Sequence, residues 1–330
     1  MRVSRLLVVA LLGALCAGAH AQRLKVHSVA YIATNSPVSA LSGPDPAVPV
    51  ARAFVHRLRD LGYVDGRNLR LEMRSLEGDW GRTEQVVAQL MQRGIDVLLL
   101  PTSALVPRVR KVAPEVPIVM LVGSNVMQTG LVQSLGRPGG NITGLAVDVD
   151  TEIEAKRLEM LLELAPGAKR VAFVGSAAEL AGIYGQRVQA TARRLGVALL
   201  HAESTTAGYA GAFAFLARER PQALLVAHGA ASYAFRREIG ELARASEIPS
   251  SCAHAETVAH GCLMSYGASL AHVFVRAADY VDKILKGARA GELPIEQPTV
   301  FELAVNLGTA RAIGLEVPSS ILLRADRVFD

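Results

Sequence analysis

Between Val26 and the carboxyl terminus the chain alternates short, almost uninterrupted apolar runs with amphipathic stretches, and this alternation limits the fold more than any other feature. "VHSVAYIA" (26–33) reads as a first strand, and "VARAFVHRLRDLG" (50–62) as a helix stopped by Gly62. "LRLEMR" (69–74), the helix "RTEQVVAQLMQRG" (82–94), "DVLLL" (96–100), a helix after "PTSAL" and the strand "PIVMLV" (117–122) follow. Apolar strands without polar alternation, separated by helices, predict a parallel sheet covered on both faces, an α/β fold.

The pattern then starts again. Thr151-Glu152-Ile153-Glu154 is a capping box that opens a helix over 152–164. After it come "RVAFVG" (170–175), a helix over 179–195, "VALLHA" (197–202), a helix over 207–219, "ALLVAH" (223–228), a helix over 232–245 and a short strand near "IPSSC". Two successive series of similar length predict two similar lobes with parallel sheets. A chain of 330 residues suits that division, because single cores stop growing at roughly 250–300 residues. The Gly-rich junction "GRPGGNITGLAVDVD" (136–150) is short, so the lobes are expected to be coupled yet able to hinge.

The first residues stand apart from this scheme. In "MRVSRLLVVALLGALCAGAHA" (1–21), Arg2 and Arg5 precede an apolar run, and Ala19-His20-Ala21 offers a small-x-small cleavage site. The expected reading is a secretory signal peptide ending at Ala21 and export to the periplasm. Leu15 stands before Cys16 where a lipidation signal wants a small residue, so no lipid anchor is expected. Losing Arg2 and Arg5 lowers the formal charge from +5 to +3, without a long basic run, which argues against nucleic acid as a partner. Cys252 and Cys262 remain, ten residues apart; a disulfide persists in an exported chain, and two buried thiols are the competing reading.

In open parallel sheets, ligands bind beyond the carboxyl ends of the strands, where helix N-termini present free backbone N–H groups. Here those corners carry Asn35 and Ser36, then Thr102 and Ser103, then Ser124 and Asn125. In the second series they carry Ser176, Gly229 and Ser232. A further corner, Ser265-Tyr266-Gly267, joins an apolar run to a long helix. Hydroxyls and amides hydrogen-bond a small polar ligand but supply no strong acid, base or nucleophile. Each is also a preferred helix N-cap, so the weight rests on their joint placement at facing strand ends.

Signatures of catalysis are missing from the sequence. "GASLA" lacks the second glycine of a nucleophile elbow, and "RPGGN" matches neither phosphate-binding glycine pattern. "CAHAETVAHGC" (252–262) has no standard zinc spacing, and Asp148 with Asp150 suits a helix N-terminus. No metal, no cofactor and no enzymatic activity are expected.

The segments "GLVQSLGRPGGNITG" (130–144), "EIEAKRLEMLLELAPGAKRVA" (152–172), "GCLMSYGASL" (261–270) and "PTVFELAVNLGTARAIGLEVPSSILLRADRVFD" (298–330) resemble the ABC-transporter substrate-binding protein family that includes tryptophan- and other aromatic amino acid-binding lipoproteins. The resemblance implies a type I periplasmic binding protein architecture: two Rossmann-like lobes, three inter-lobe crossovers and capture of a small polar or aromatic metabolite for an ABC permease. It places the crossovers near 144–149, 263–267 and 297–301. The N-terminal lobe would then hold 22–145 plus 267–298, and the C-terminal lobe 146–266 plus 299–330. Ser265 and Tyr266 would face the cleft, Gly267 would give backbone freedom, and Ser269 would cap the helix that follows.

The chain departs from many relatives in having Gly123-Ser124-Asn125 where they carry Gly-Asp-Pro, and Gly175-Ser176-Ala177 in place of an Asn-Pro-Asn loop. An acidic partner for a ligand ammonium is thereby lost. Tyr31, Tyr184, Tyr233 and Tyr266 are the candidates to stack on a ring. A monomer is expected. A ligand-sensing module feeding a membrane sensor and, further off, an exported enzyme are the alternative readings.

Overall fold

The computed structural model describes residues 25–124, 126–146 and 152–330. The signal-peptide reading, Thr151 of the capping box and Asn125 lie outside the described residues. Apolar strands form two sheets. The first holds β1 (His27–Ala33), β2 (Leu69–Ser75), β3 (Val97–Leu100), β4 (Ile118–Gly123) and β5 (Ile142–Ala146), all parallel, in the order β2-β1-β3-β4-β5.

The second holds β6 (Arg170–Gly175), β7 (Ala198–Glu203), β8 (Ala223–Val226), β9 (Ser250–Cys252), β10 (Met264–Ala268), β11 (Phe301–Asn306) and β12 (Arg327–Phe329). Its order is β12-β11-β10-β9-β8-β6-β7, with β10 and β11 antiparallel and the other pairs parallel. Val97 to Leu100 and Ala223 to Val226 are buried throughout, as strands covered on both faces must be. The fold is two α/β lobes of the type I periplasmic binding protein architecture.

The chain passes between the lobes three times. It leaves the first sheet after Ala146, returns from Ala268 into helix Leu270–Leu285, and leaves again between Glu296 and Phe301. That helix packs on helix Pro49–Asp60 of the first lobe: its core residues Val273, Ala277 and Val281 share a cluster with Phe54 and Leu58, and Arg57 Nε donates to Asp279 at 2.8 Å. The crossovers are laced to one another. Ala146 N–H donates to Glu296 O at 2.9 Å, Glu296 N–H to Gly144 O at 3.0 Å, and Ser269 N–H to Val300 O at 2.9 Å. Arg276 clamps the same place with a two-pronged bond to the Glu296 carboxylate, at 2.7 and 2.8 Å.

Several local expectations change. The junction over 136–150 contains a strand, β5, hidden by its glycines. Gly144 adopts φ +128°, and a Cβ there would fall 2.1 Å from Met120 O, so only glycine lets β5 lie against β4. The helix over 179–195 is two helices, Ala177–Ala181 and Ile183–Arg194, parted at an extended Gly182. Ser269 holds the N-cap position of helix Leu270–Leu285 without a side-chain capping bond. Gly267 is required for close approach, not for freedom: a Cβ would lie 2.3 Å from Ala253 O. Cys252 and Cys262 form a disulfide within the second lobe's core.

Candidate functional site

The first sheet's order reverses between β1 and β3, the second's between β6 and β8. A cavity between the lobes opens beside these reversals, where a doubly wound sheet leaves room for a ligand. From the first lobe it is walled by Tyr31 and Thr34 at the end of β1, Pro101 after β3, and Leu121 and Val122 on β4. Leu270 and Phe274 come from the helix after the second crossover. The second lobe supplies His228 and Gly229 after β8, His254 after β9, and Tyr233 from helix Ala230–Ala234.

About 490 Å³ of space free of atoms lies here, counting the open mouth, in a slot whose walls are mostly apolar. Its rings are mutually arranged. Tyr31 meets Phe274 edge to face at 5.6 Å, and Tyr233 meets His254 edge to face at 5.3 Å. His228 lies 5.3 Å from His254 and 5.7 Å from Tyr184. Such edge-on pairs are the arrangement the ring quadrupoles favour.

The lobes touch across the slot. Tyr233 packs against the first lobe's core. Arg236 Nη2 donates to Ser36 Oγ at 3.3 Å, and Asn35 Nδ2 to Ala234 O at 3.5 Å. The Arg236 guanidinium sits 4.7 Å above the Tyr233 ring and also donates to Tyr233 O at 3.1 Å. Among the described residues no carboxylate comes within ion-pair distance of it.

Both imidazoles are held neutral. Burial pushes the pKa of His228 down, and Arg157 adds to this against the opposing pull of Glu154. Burial, then His228 and Arg157, hold His254 well below the ordinary imidazole value. His254 Nε2 is buried in the cavity wall without a hydrogen-bond partner among the described residues. Burial also raises the pKa of the Tyr31 and Tyr233 hydroxyls, which stay protonated.

Of the residues chosen from the sequence, Gly229 lines the cavity, and Asn35 and Ser36 bridge the lobes at its edge. The hydroxyls of Thr102, Ser103, Ser176 and Ser232 are occupied within their own lobe. Thr102 Oγ1 accepts from Ala104 N–H, and Ser103 Oγ both donates to Ser124 O and accepts from Ser124 N–H, fastening the ends of β3 and β4. Ser176 forms a capping box with Glu179, and Ser232 Oγ donates to Gly229 O. Ser265 Oγ is buried in β10 without a partner. Tyr266 stacks on Phe301 and its hydroxyl accepts from Lys156 Nζ at 3.1 Å, away from the cavity walls.

His228, His254, Thr34 and Phe274 were not chosen. The available signal for His228 was its place at the end of "ALLVAH", a strand terminus carrying a titratable ring. His254 was visible only as part of a pattern weighed for zinc. Cys252 and Cys262 are joined to each other, and among the described residues no cluster of three or more His, Cys, Asp or Glu side chains could hold a metal. No helix among the described residues is long and apolar enough to cross a membrane.

Two lobes of this winding, joined by three crossovers around a walled slot, define the class of two-lobe solute-binding proteins. A family model described as ABC transporter substrate binding protein matches residues 45–329, and the chain belongs to that family. A tyrosine-binding protein of Clostridioides difficile (strain R20291) is 20% identical over 266 residues, covering 80% of this chain and 76% of that one. A conserved domain protein from Vibrio cholerae superposes with a TM-score of 0.79 at 22% identity, covering 92% of this chain and all of that one. An ABC domain from Streptococcus pneumonia in complex with L-Trp gives 0.78 at 18% identity, with the same coverage. At these identities the structural likeness speaks for the fold.

Proposed function

We propose that the chain is an extracytoplasmic solute-binding protein without enzymatic activity, exported by its first 21 residues. It captures a small polar or aromatic metabolite between an N-terminal lobe (22–145 plus 267–298) and a C-terminal lobe (146–266 plus 299–330), and as a monomer delivers it to an ABC permease of the inner membrane. The observation that carries this reading is the slot itself, in which Tyr31 and Phe274 from one lobe face Tyr233 and His254 from the other at the strand termini. The relatives named for tyrosine and solved with L-Trp agree with a ring-bearing guest.

A ligand that touches both walls favours the closed arrangement by its differential affinity, and the closed surface is what a permease can recognise. Asn35, Ser36 and Gly229, with the rings, make the contacts; Thr102, Ser103, Ser124, Ser176 and Ser232 shape the strand-end corners around them. The test is a thermal-shift screen of amino acids, aromatic acids, nucleosides and sugars. A ligand at 100 times its dissociation constant stabilises by about 2.7 kcal/mol, and Tyr233→Ala should abolish that shift when it is read against the variant's own unliganded melting point, which falls because the ring also packs on the first lobe's core. A flat response across all classes would end the capture reading.

A further inference from the structure

The second sheet reverses its strand order between β6 and β8, and one carboxylate sits at that reversal. Glu179 belongs to the short helix Ala177–Ala181 that follows β6. Its Oε2 accepts from the Ser176 N–H at 2.7 Å and from the Ser176 hydroxyl at 2.8 Å, so the side chain is fixed by two bonds. Two glycines make room for it. A Cβ on Gly175, the last residue of β6, would lie 3.1 Å from Oε2, and one on Gly229, after β8, would lie 2.9 Å from Oε1. Gly229 is a wall residue of the slot with an extended backbone, so the nearby carboxylate, and not an unusual φ, is what excludes a side chain there.

The two oxygens of Glu179 are used differently. A capping box needs only one of them, and here it takes Oε2. Oε1 has no hydrogen-bond or ion-pair partner among the described residues. The other acids of this lobe near the strand ends have theirs: both oxygens of Glu154 accept from Arg157, and Glu238 accepts from the backbone of Tyr209 and Ala210. None of the residues that line the slot is a Lys or Arg, so nothing in its walls competes for the charge of Glu179. A guest seated against Gly229 displaces water from Oε1, and a carboxylate left dry without a partner is costly. A cationic nitrogen on the guest offsets that cost with a charge-assisted hydrogen bond.

We propose that Glu179 Oε1 is the receptor for a protonated amine on the guest, and that Glu179 thereby selects amine-bearing aromatic solutes over their deaminated counterparts. This rests on the capture reading above and deepens it by naming the group that is read and the residue that reads it. Ser176 is the positioning residue, since its N–H and hydroxyl hold the other oxygen and turn Oε1 toward Gly229.

The experiment is calorimetry on the protein with matched pairs that differ by one ammonium group: tyrosine and 4-hydroxyphenylpropanoate, tryptophan and indole-3-propanoate, phenylalanine and 3-phenylpropanoate. In every pair that binds, the amine-bearing member is expected to bind at least about ten-fold more tightly. Glu179→Gln keeps an amide oxygen for Ser176 and should weaken the amine-bearing member by about ten-fold or more while leaving its deaminated partner unchanged. Ser176→Ala, which loosens the carboxylate and keeps its charge, should give the same selective loss at a smaller size. Should Glu179→Gln not fold, Ser176→Ala decides, and an equal loss for both members of a pair overturns the proposal. A deaminated member that binds as tightly as its partner overturns it too, as does a preference for the amine that survives Glu179→Gln. If no pair binds while another class in the wider screen does, the proposal falls and capture of a solute stands. No binding by any compound of that screen brings down both readings.

Discussion

In the first lobe the strands run β2-β1-β3-β4-β5, and in the second β7-β6-β8-β9-β10, so the same winding brings equivalent strand ends to the cleft from opposite sides. What they carry there differs. The first lobe's wall is built from Tyr31, Leu121, Val122, Leu270 and Phe274, backed by an apolar core that runs without interruption beneath it. The second lobe's wall holds two neutral imidazoles and Tyr233, and behind it sit a buried ion pair and a disulfide. One lobe gives the slot its shape and the other its polar recognition. A polar wall must be held by groups that withstand burial, and this locates the second lobe's unusual chemistry.

The ion pair is where this contrast breaks most readily. Glu154 and Arg157 are each 1% exposed and 2.8 Å apart, and Arg157 also donates to Val226 O and Ser251 O, fastening helix Glu152–Leu164 to the ends of β8 and β9. Arg157→Leu strands the Glu154 charge in the interior and should lower stability by about 3–5 kcal/mol, read from the urea midpoint. A loss below about 1 kcal/mol would put the pair on the footing of a surface bridge and remove the distinction between the lobes.

The disulfide comes next. Cys252 and Cys262 are ten residues apart and close a short loop around helix Ala255–Val258, directly after His254. Replacing both by alanine should cost about 2–4 kcal/mol and loosen the His254 wall. Amide exchange should rise over 253–261 while the first sheet remains protected. Uniform loosening of both lobes would show that the bond steadies the whole chain and not this wall.

The imidazoles make the contrast depend on pH. His228 and His254 both have folded pKa values below the ordinary 6.5, chiefly through burial. The unfolded chain therefore takes up protons first as pH falls. Their contribution is complete above about 6.5 and is lost progressively as pH drops from there toward the depressed folded values. Ligand affinity should fall over the same window, since protonation places a charge in a cavity wall that is mostly apolar. Stability measured from pH 8 to 5 in the wild type and in His254→Gln separates this ring's part: a parallel decline in both would trace the effect to other groups.

Much of this was readable in the sequence because it is written in local patterns. Continuous apolar strands between amphipathic helices announce parallel sheets, and the strand-end rule pointed to the corners that bound the slot. Two things were not readable. Hydroxyls at the corners look alike whether they meet a ligand or a backbone N–H; Ser103, Ser176 and Ser232 have their bonds within their own lobe. Phe274 reaches Tyr31 only because the chain crosses back into the first lobe before helix Leu270–Leu285, a long-range event with no local mark. The strand β5 was hidden for a related reason, since Gly144 is present for the close approach of Met120 and resembles a loop glycine in one dimension.

The smallest effect lies at the contact between the lobes. Arg236 reaches across to Ser36 at 3.3 Å, a long hydrogen bond from a half-buried donor to a hydroxyl that is itself 7% exposed. Ser36→Ala removes the acceptor and should shift the unliganded balance toward the open arrangement by about 0.5–1.5 kcal/mol, seen as a larger radius of gyration in solution scattering. Saturating ligand should erase the difference, because a guest that contacts both walls supplies the closing energy. If scattering from the variant matches the wild type without ligand, the lobes are held by Tyr233 packed against the first lobe's core, and the polar contact serves to aim the Arg236 guanidinium.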